Sequence, residues 1–362
     1  MRKRNIRTLI LGVAAAAALS LSISACSPEY WPASETEETA TPGTTPQPSV
    51  LEDTLPKPSV TVQQFERVLE STREVFSQAD EERDADLLSS RAAGAVLEAR
   101  TVNYQAREED DDIDAFAGIP DGEIQLILPE QNEQWPRHVL AIVGWQDDSQ
   151  VPEALVFRQS DARAGFKLVY QVYLQAGVQL PEVAASQVGA PVISTESELT
   201  VMQPQNVPGA YADIFTEGED AEHYAAFESD PDELRSSLGY THKQDQYVDN
   251  DNYELVDFEF LNSEGSSPVI SMSTNDGGAI VAGSFSESIE FNPTEDGVTV
   301  SPPEGSSLSA LLGGEDGFTS GFSRTDEYQV LFYVPAGSRG DDAPLITVLG
   351  YNAALVGAEE LD

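Results

Sequence analysis

From Val60 onward the chain is written in two hydrophobic periods. Val62, Phe65, Val68, Leu69, Val75, Phe76 and Ala79 recur at helical spacing and predict one apolar face lasting to about Gln78. Thr61-Val62-Gln63-Gln64 before them fits a capping box, in which the threonine hydroxyl satisfies an early backbone N–H. A second helix is expected over residues 84–100, with Leu87, Leu88, Ala92, Val96 and Leu97 turned inward. The period then shortens. Residues 123–128, 138–145, 154–158 and 166–174 are short, β-branched or aromatic, and bounded by Pro, Gly, Asp or Asn, which predicts four strands.

A similar order begins again after a Pro/Gln-rich break at residues 202–208. Ala210, Tyr211, Ile214, Phe215, Tyr224 and Phe227 supply helix faces, and residues 231–238 a short further helix. Strands are expected at 253–261, 269–273, 279–285, 287–291, 329–334 and 345–351. Each half closes on a strand, a loop holding Ser, Arg and Gly, and a second strand. Helices followed by strands, twice, predict an α+β fold of two tandem domains, residues 60–190 and 191–362. In each, the N-terminal helices would cover a curved, mainly antiparallel sheet.

The chain before Val60 is of another kind. Residues 27–59 are dense in Pro, Thr, Ser and Glu and cannot bury enough apolar area to offset ordering, so residues 26–59 are expected to form a disordered tether. Ahead of it stand Arg2, Lys3, Arg4 and Arg7, an apolar run from Thr8 to Leu21, and Ile23-Ser24-Ala25-Cys26. A basic start, a short apolar core and small residues before a cut describe a secretory signal, residues 1–25. The run is shorter than the roughly 20 residues that span a bilayer. Cys26 is the chain's one cysteine and so has no internal disulfide partner. Ile23, Ser24, Ala25 and Cys26 resemble the lipobox of bacterial lipoproteins. That resemblance implies a diacylglyceryl group on the Cys26 sulfur and a protein lipid-anchored to the extracytoplasmic face of the cell membrane.

Charge narrows the partners. There are 63 acidic and 19 basic residues, a net of −44, and losing the four basic residues of the signal leaves −48. Such a field repels phosphates and anionic headgroups, which excludes nucleic acid as a partner. It keeps an exported chain dispersed, and cationic envelope components or divalent ions are its functional counterpart.

Catalytic signatures are scarce. His138, His223 and His242 have no histidine or cysteine at ligand spacing, so neither a metal nor another cofactor is expected. No nucleophile elbow, S-x-x-K or phosphate loop occurs. The acidic run from Glu108 to Asp114 reads as a solvated loop, with calcium as the alternative. The stretch opening at Asp249 lacks the glycine and the final glutamate of a calcium loop, Glu254 and Phe260 standing there instead. Trp135, Trp145, Tyr170 and Tyr173 lie in or beside predicted strands; they are either core or the lining of a pocket in a concave sheet. Arg158 and Arg163 read as internal ion-pair partners.

The two amphipathic helices, the second carrying DADLLSSRAAGAVLEAR, and the strands closing on FKLVYQVYL resemble the cone-shaped fold of the nuclear transport factor two-like superfamily. Together with the lipobox, the tether, DGGAIVAG and LITVLG, the chain resembles cell-envelope lipoproteins of actinobacteria. In that superfamily one cone serves as enzyme, carrier or protein-binding module, so fold alone implies no activity. The expected role is a non-catalytic binding module for an envelope protein or polymer. A small-ligand carrier is the alternative, and behind it a glycan-acting enzyme, which would need two carboxylates about 5–9 Å apart.

Overall fold

The computed structural model describes residues 57–362 apart from 148, 315, 316, 339, 341 and 342. The expectations for residues 1–56, including Ile23, Ser24, Ala25, Cys26 and most of the tether, lie outside the described residues.

Thr61 opens helix α1 (Val62–Glu82) with the anticipated box: its hydroxyl accepts from Gln64 N–H at 3.3 Å, and Gln64 Oε1 accepts from Thr61 N–H at 2.9 Å. Phe65, Leu69, Thr72, Phe76 and Ala79 form its buried face. The single helix expected over residues 84–100 is instead two, α2 (Ala85–Leu88) and α3 (Gly94–Glu109). Between them the chain makes strand-like bonds to Leu168, from Ala93 N–H at 3.0 Å and to Arg91 O at 2.7 Å. Helical periodicity cannot register that detour. Gly94 restarts the helix at φ +57, and a Cβ there would meet Ser267 Oγ at 2.1 Å. That serine, from the other half of the chain, supplies the cap Ala93 lacks: its hydroxyl accepts from Ala95 N–H at 2.8 Å. Glu108 and Glu109 close α3 instead of opening a loop, and Asp111, Asp112 and Asp114 are exposed.

Strands β1 (Ile124–Gln131), β2 (Arg137–Val143), β3 (Glu153–Gln159) and β4 (Lys167–Leu174) form an antiparallel meander, and β5 (Ala190–Pro191) adds to β1 in parallel. Then follow α4 (Val207–Glu217), α5 (Glu233–Leu238), α6 (Tyr240–Lys243), β6 (Val256–Glu264), β7 (Ile270–Ser273), β8 (Ala279–Pro293), α7 (Ser307–Leu311), β9 (Phe322–Val334) and β10 (Thr347–Glu360). Ten strands make one mixed, mostly antiparallel sheet in the order β5-β1-β2-β3-β4-β10-β9-β8-β6, with β7 also on β8. The fold class is α+β, as expected. The sheet runs through β5, where residues 190 and 191 lie.

Both faces of the sheet are covered. Val139, Ala141, Val143, Leu155 and Phe157 pack beneath Phe65, Leu69 and Phe76 of α1. On the other face Leu140, Ile142, Val156, Tyr170 and Val172 meet Ile280, Ala282, Leu331 and Leu349 from the later strands. Val281, Phe285, Val330, Phe332 and Val348 then pack under Tyr211, Ile214 and Phe215 of α4. The layers run α1, the earlier strands, the later strands, α4. Fully burying each large side chain contributes about 1.5–3 kcal/mol, so three stacked cores hold the unit.

The two halves join where β4 meets β10, and that ladder is short: Leu174 pairs with Gly350 and Tyr173 with Tyr351. Side-chain amides continue it. Gln329 Oε1 accepts from the Gln171 N–H at 3.0 Å, and Asn352 Nδ2 donates to the Gln171 carbonyl at 3.0 Å. Gln175 N–H donates to Leu349 O at 3.1 Å, and its side chain bonds Val348 O, Pro231 O and Glu233 N–H. Gln329→Leu keeps the volume and leaves a buried N–H unpaired, a cost of about 1–3 kcal/mol. A lowered urea midpoint is the expected result; an unchanged midpoint would show that the amide carries nothing.

Candidate functional site

Trp135, Trp145, Tyr170 and Tyr173, read from the sequence as core or as the lining of a pocket, stand at three places in the structure. Tyr170 and Tyr173 lie three residues apart on β4 and therefore face opposite sides of the sheet. Tyr170 is fully buried in the core between the earlier and the later strands, its hydroxyl donating to Pro268 O at 2.8 Å. Trp135 stands in the β1–β2 turn with the Arg137 guanidinium 4.1 Å from its ring centre. Trp145 and Tyr173 do come together, about Glu153: Trp145 Nε1 donates to Glu153 Oε1 at 3.2 Å, and Tyr173 lies opposite Glu153 across β3 and β4.

Glu153 is a carboxyl strongly shifted by burial. It is 0% exposed, and burial pushes its carboxyl up to about 7 against the pull of bonds from Gln171 and Trp145 and the charge of Arg100. Gln171 Nε2 donates to its second oxygen at 2.8 Å. Arg100 is held by both oxygens of Asp80 at 2.7 Å and lies 4.8 Å from the Phe76 ring centre. The cavity beside Arg100, Gln171 and Tyr173 has about 30 Å³ of free space, room for water and not for an organic substrate. A second sealed pair joins Lys243 and Glu287, with Lys243 Nζ 4.5 Å from the Phe215 ring centre. Burial lowers the lysine and raises the glutamate. Arg158 and Arg163 make no ion pair among the described residues; Arg100, Arg235 and Arg324 do. Among the described residues no three His, Cys, Asp or Glu side chains gather where a metal ion could sit.

The roomier candidate is an open cleft of about 610 Å³ bounded by the end of α4, by α5 and by the start of α6. Gly218 stops α4 at φ +63, and a Cβ there would strike the Tyr240 ring at 2.7 Å. Glycine at that turn lets Tyr240 form one wall. Asp232 caps α5, accepting from Arg235 N–H at 3.0 Å, and is buried. The Tyr211 hydroxyl donates to it at 2.8 Å, and Arg235 Nε lies 3.2 Å away. Burial raises the Asp232 carboxyl, opposed by these bonds and by the guanidinium. Arg235 also lies 5.3 Å from the Tyr224 ring centre and donates to Glu228 O, which leaves Nη1 buried without a partner. Glu217, Glu219 and Asp220 line the rim and are exposed. The cleft thus offers two aromatic walls, a fixed ion pair at its base and three free carboxylates. Sequence reading placed Tyr224 and residues 231–238 on helices and named none of them as a site. The signals within reach were Asp232 three residues before Arg235 at a helix start, and acids clustered about a helix-stopping glycine.

The sign of the Glu153 effect on stability is fixed. Below about pH 4.5 the carboxyl is protonated folded and unfolded; between 4.5 and 7 only the folded chain keeps the proton, so stability falls as pH rises. Above 7 a constant penalty of about 3 kcal/mol remains. Glu153→Gln removes this component. Thermal melting of both proteins from pH 4 to 8 is expected to show the wild type losing ground against the variant through that window; parallel curves would contradict the assignment.

Searches of the curated proteins and of the solved structures returned no match. A family model described as a domain of unknown function, DUF8094, matches residues 56–360, nearly all of the described structure and the cleft with it. The chain therefore belongs to the DUF8094 family.

Proposed function

We propose that this chain is a membrane-tethered, non-catalytic binding module of the cell envelope, anchored by a lipid on Cys26 and engaging an envelope protein or polymer through the cleft between α4, α5 and α6. The observation that carries it is the contrast between that cleft and the other polar groups. Glu153 and Glu287, the acids shifted by burial within the core, are sealed from solutes, and the oxygens of Asp232 are occupied by Tyr211 and Arg235. Tyr224, Tyr240 and the rim carboxylates remain open to a ligand. Aromatic walls with a few placed polar groups suit recognition. No helix among the described residues is long and apolar enough to cross a membrane.

The same proposal includes a duplicated architecture of two cones like those of the nuclear transport factor two-like superfamily. Separate cores under α1 and under α4 support it, the first built wholly from the earlier half and the second from the later. The cleft volume also falls within the range of about 300–1,000 Å³ that encloses small molecules, which keeps a carrier as the second reading.

Two measurements on the full chain in its own cells test the proposal. Cys26→Ser is expected to move the protein from the membrane fraction to the soluble one; retention in the membrane would remove the lipid anchor. A photo-crosslinking residue at Tyr240 is expected to yield adducts that the same residue at Val188 does not. Equal labelling at both positions, or none, would remove the cleft as a binding site.

A further inference from the structure

Stretches of the sheet's margin are covered: β5 and Pro58 lie along β1, and Val192 bridges Met272 on β7. β6 ends the sheet beyond β8 with no strand outside it. Its register on β8 is unbroken from Val256 to Glu264, and just before it Thr294 N–H donates to Leu255 O at 3.0 Å. Opposed residues of an antiparallel pair exchange bonds at every second position. Leu255, Asp257, Glu259, Leu261 and Ser263 therefore bond β8, while Val256, Phe258, Phe260, Asn262 and Glu264 turn N–H and C=O outward. Among the described residues no strand or loop bonds these outward groups. Exposed edges are commonly protected by a proline, a bulge or a lysine, and β6 has none of the three. We infer that β6 is a self-association edge, through which two copies of this chain pair antiparallel about a twofold axis at Phe260 and join their sheets.

A second copy is the occupant because the strand is complementary to itself. A twofold pair of identical strands has its register set by the residue on the axis. With Phe260 there, Val256 meets Glu264, Phe258 meets Asn262 and Phe260 meets its twin, so each outward N–H of one copy finds an outward carbonyl of the other. The acids then face neutral residues: Asp257 lies across from Ser263, Glu259 from Leu261 and Glu264 from Val256. Like charges directly opposed, which destabilise a strand pair, are avoided. Centring on Glu259 would set that carboxylate against its own copy, and centring on Leu261 would leave Val256 outside the ladder. Leu261, 43% exposed on a face otherwise lined by Asp257, Glu259 and Ser263, gains a cover in the chosen register. The net charge of −44 pushes two copies apart at long range. Pairing through β6 therefore tightens as salt screens that field, the reverse of what a cationic partner would do.

The test uses the full-length protein in an excess of density-matched detergent, with sedimentation velocity as the readout. A monomer–dimer equilibrium is expected, several times tighter at about 500 mM than at about 50 mM salt. Leu261→Glu opposes two pairs of carboxylates across the axis and is expected to weaken the dimer about tenfold. Adding Glu259→Lys to it turns both oppositions into ion pairs and is expected to restore the dimer. Leu199→Glu, the same change at a residue 73% exposed and away from β6, is expected to have no effect. Both leucines are exposed, so unchanged melting of each variant shows that the fold is intact. Register is read by oxidising a mixture of Asp257→Cys and Ser263→Cys copies. Opposed residues of this kind lie about 4.5 Å apart, within disulfide reach, so the mixture is expected to crosslink beyond either variant alone. A monomer at both salt concentrations, equal effects of Leu261→Glu and Leu199→Glu, or a mixture that links no better than its components would each overturn the inference.

Discussion

Gln171 sits where the strand ladder gives out. To one side β3 pairs with β4 along most of its length; to the other, β10 pairs with it at two residues before the strands diverge. A buried peptide group with no strand beside it must find another partner or lose more than a hydrogen bond is worth. Gln329 and Asn352 answer its N–H and carbonyl, and Gln175 repeats the device four residues on, reaching both β10 and the start of α5. The continuity of the sheet, and with it the packing of the earlier strands on the later ones, depends on these amides.

The same economy governs charge. In a chain with 63 acidic residues, those that enter the core do so with a partner already placed. Asp326 enters β9 paired with Arg324 at 2.7 Å, Glu327 accepts from Ser266 and Ser286, and Glu287 meets Lys243 beneath two phenyl rings. A buried carboxylate without such company would take up a proton or unfold its surroundings. Glu153, with two neutral donors and a more distant arginine, is the one held to about 7, and it lies beside the amide seam: Gln171 bonds Glu153 with its side chain and Gln329 with its backbone.

The cleft is the counterpart of these closed sites. It forms because α4 stops at Gly218, α5 stops after Leu238 and α6 starts at Tyr240 close together, over the base made by Asp232 and Arg235. Gln175 ties the seam to this corner through Glu233 N–H, so the element that joins the halves also fixes the start of α5. Asp232 and Tyr211 are buried and bonded to each other there; the groups left exposed are the ones a ligand can reach.

The sequence by itself determined the class of fold, most of its elements and much of its core. Short β-branched or aromatic runs bounded by turn residues placed Val139, Ala141, Leu155 and Phe157 on strands, and helical spacing placed Phe65, Leu69 and Phe76 on one face, because local pattern and burial agree there. Strand lengths were legible only in their apolar parts. β9 begins at Phe322 and β8 runs unbroken through Ser286, since Arg324, Asp326 and Glu327 are paired by residues distant in the chain. The break between α2 and α3 was hidden for the same reason: its causes are Leu168 and Ser267, 172 residues from the Ala95 N–H that the serine caps. Only the tertiary structure decided that the halves share one sheet, that Tyr170 and Tyr173 face apart, and that a cleft opens beside Tyr240. Periodicity reports what each residue needs from water, whereas a seam, a shared cap and a cleft depend on which remote partner answers that need.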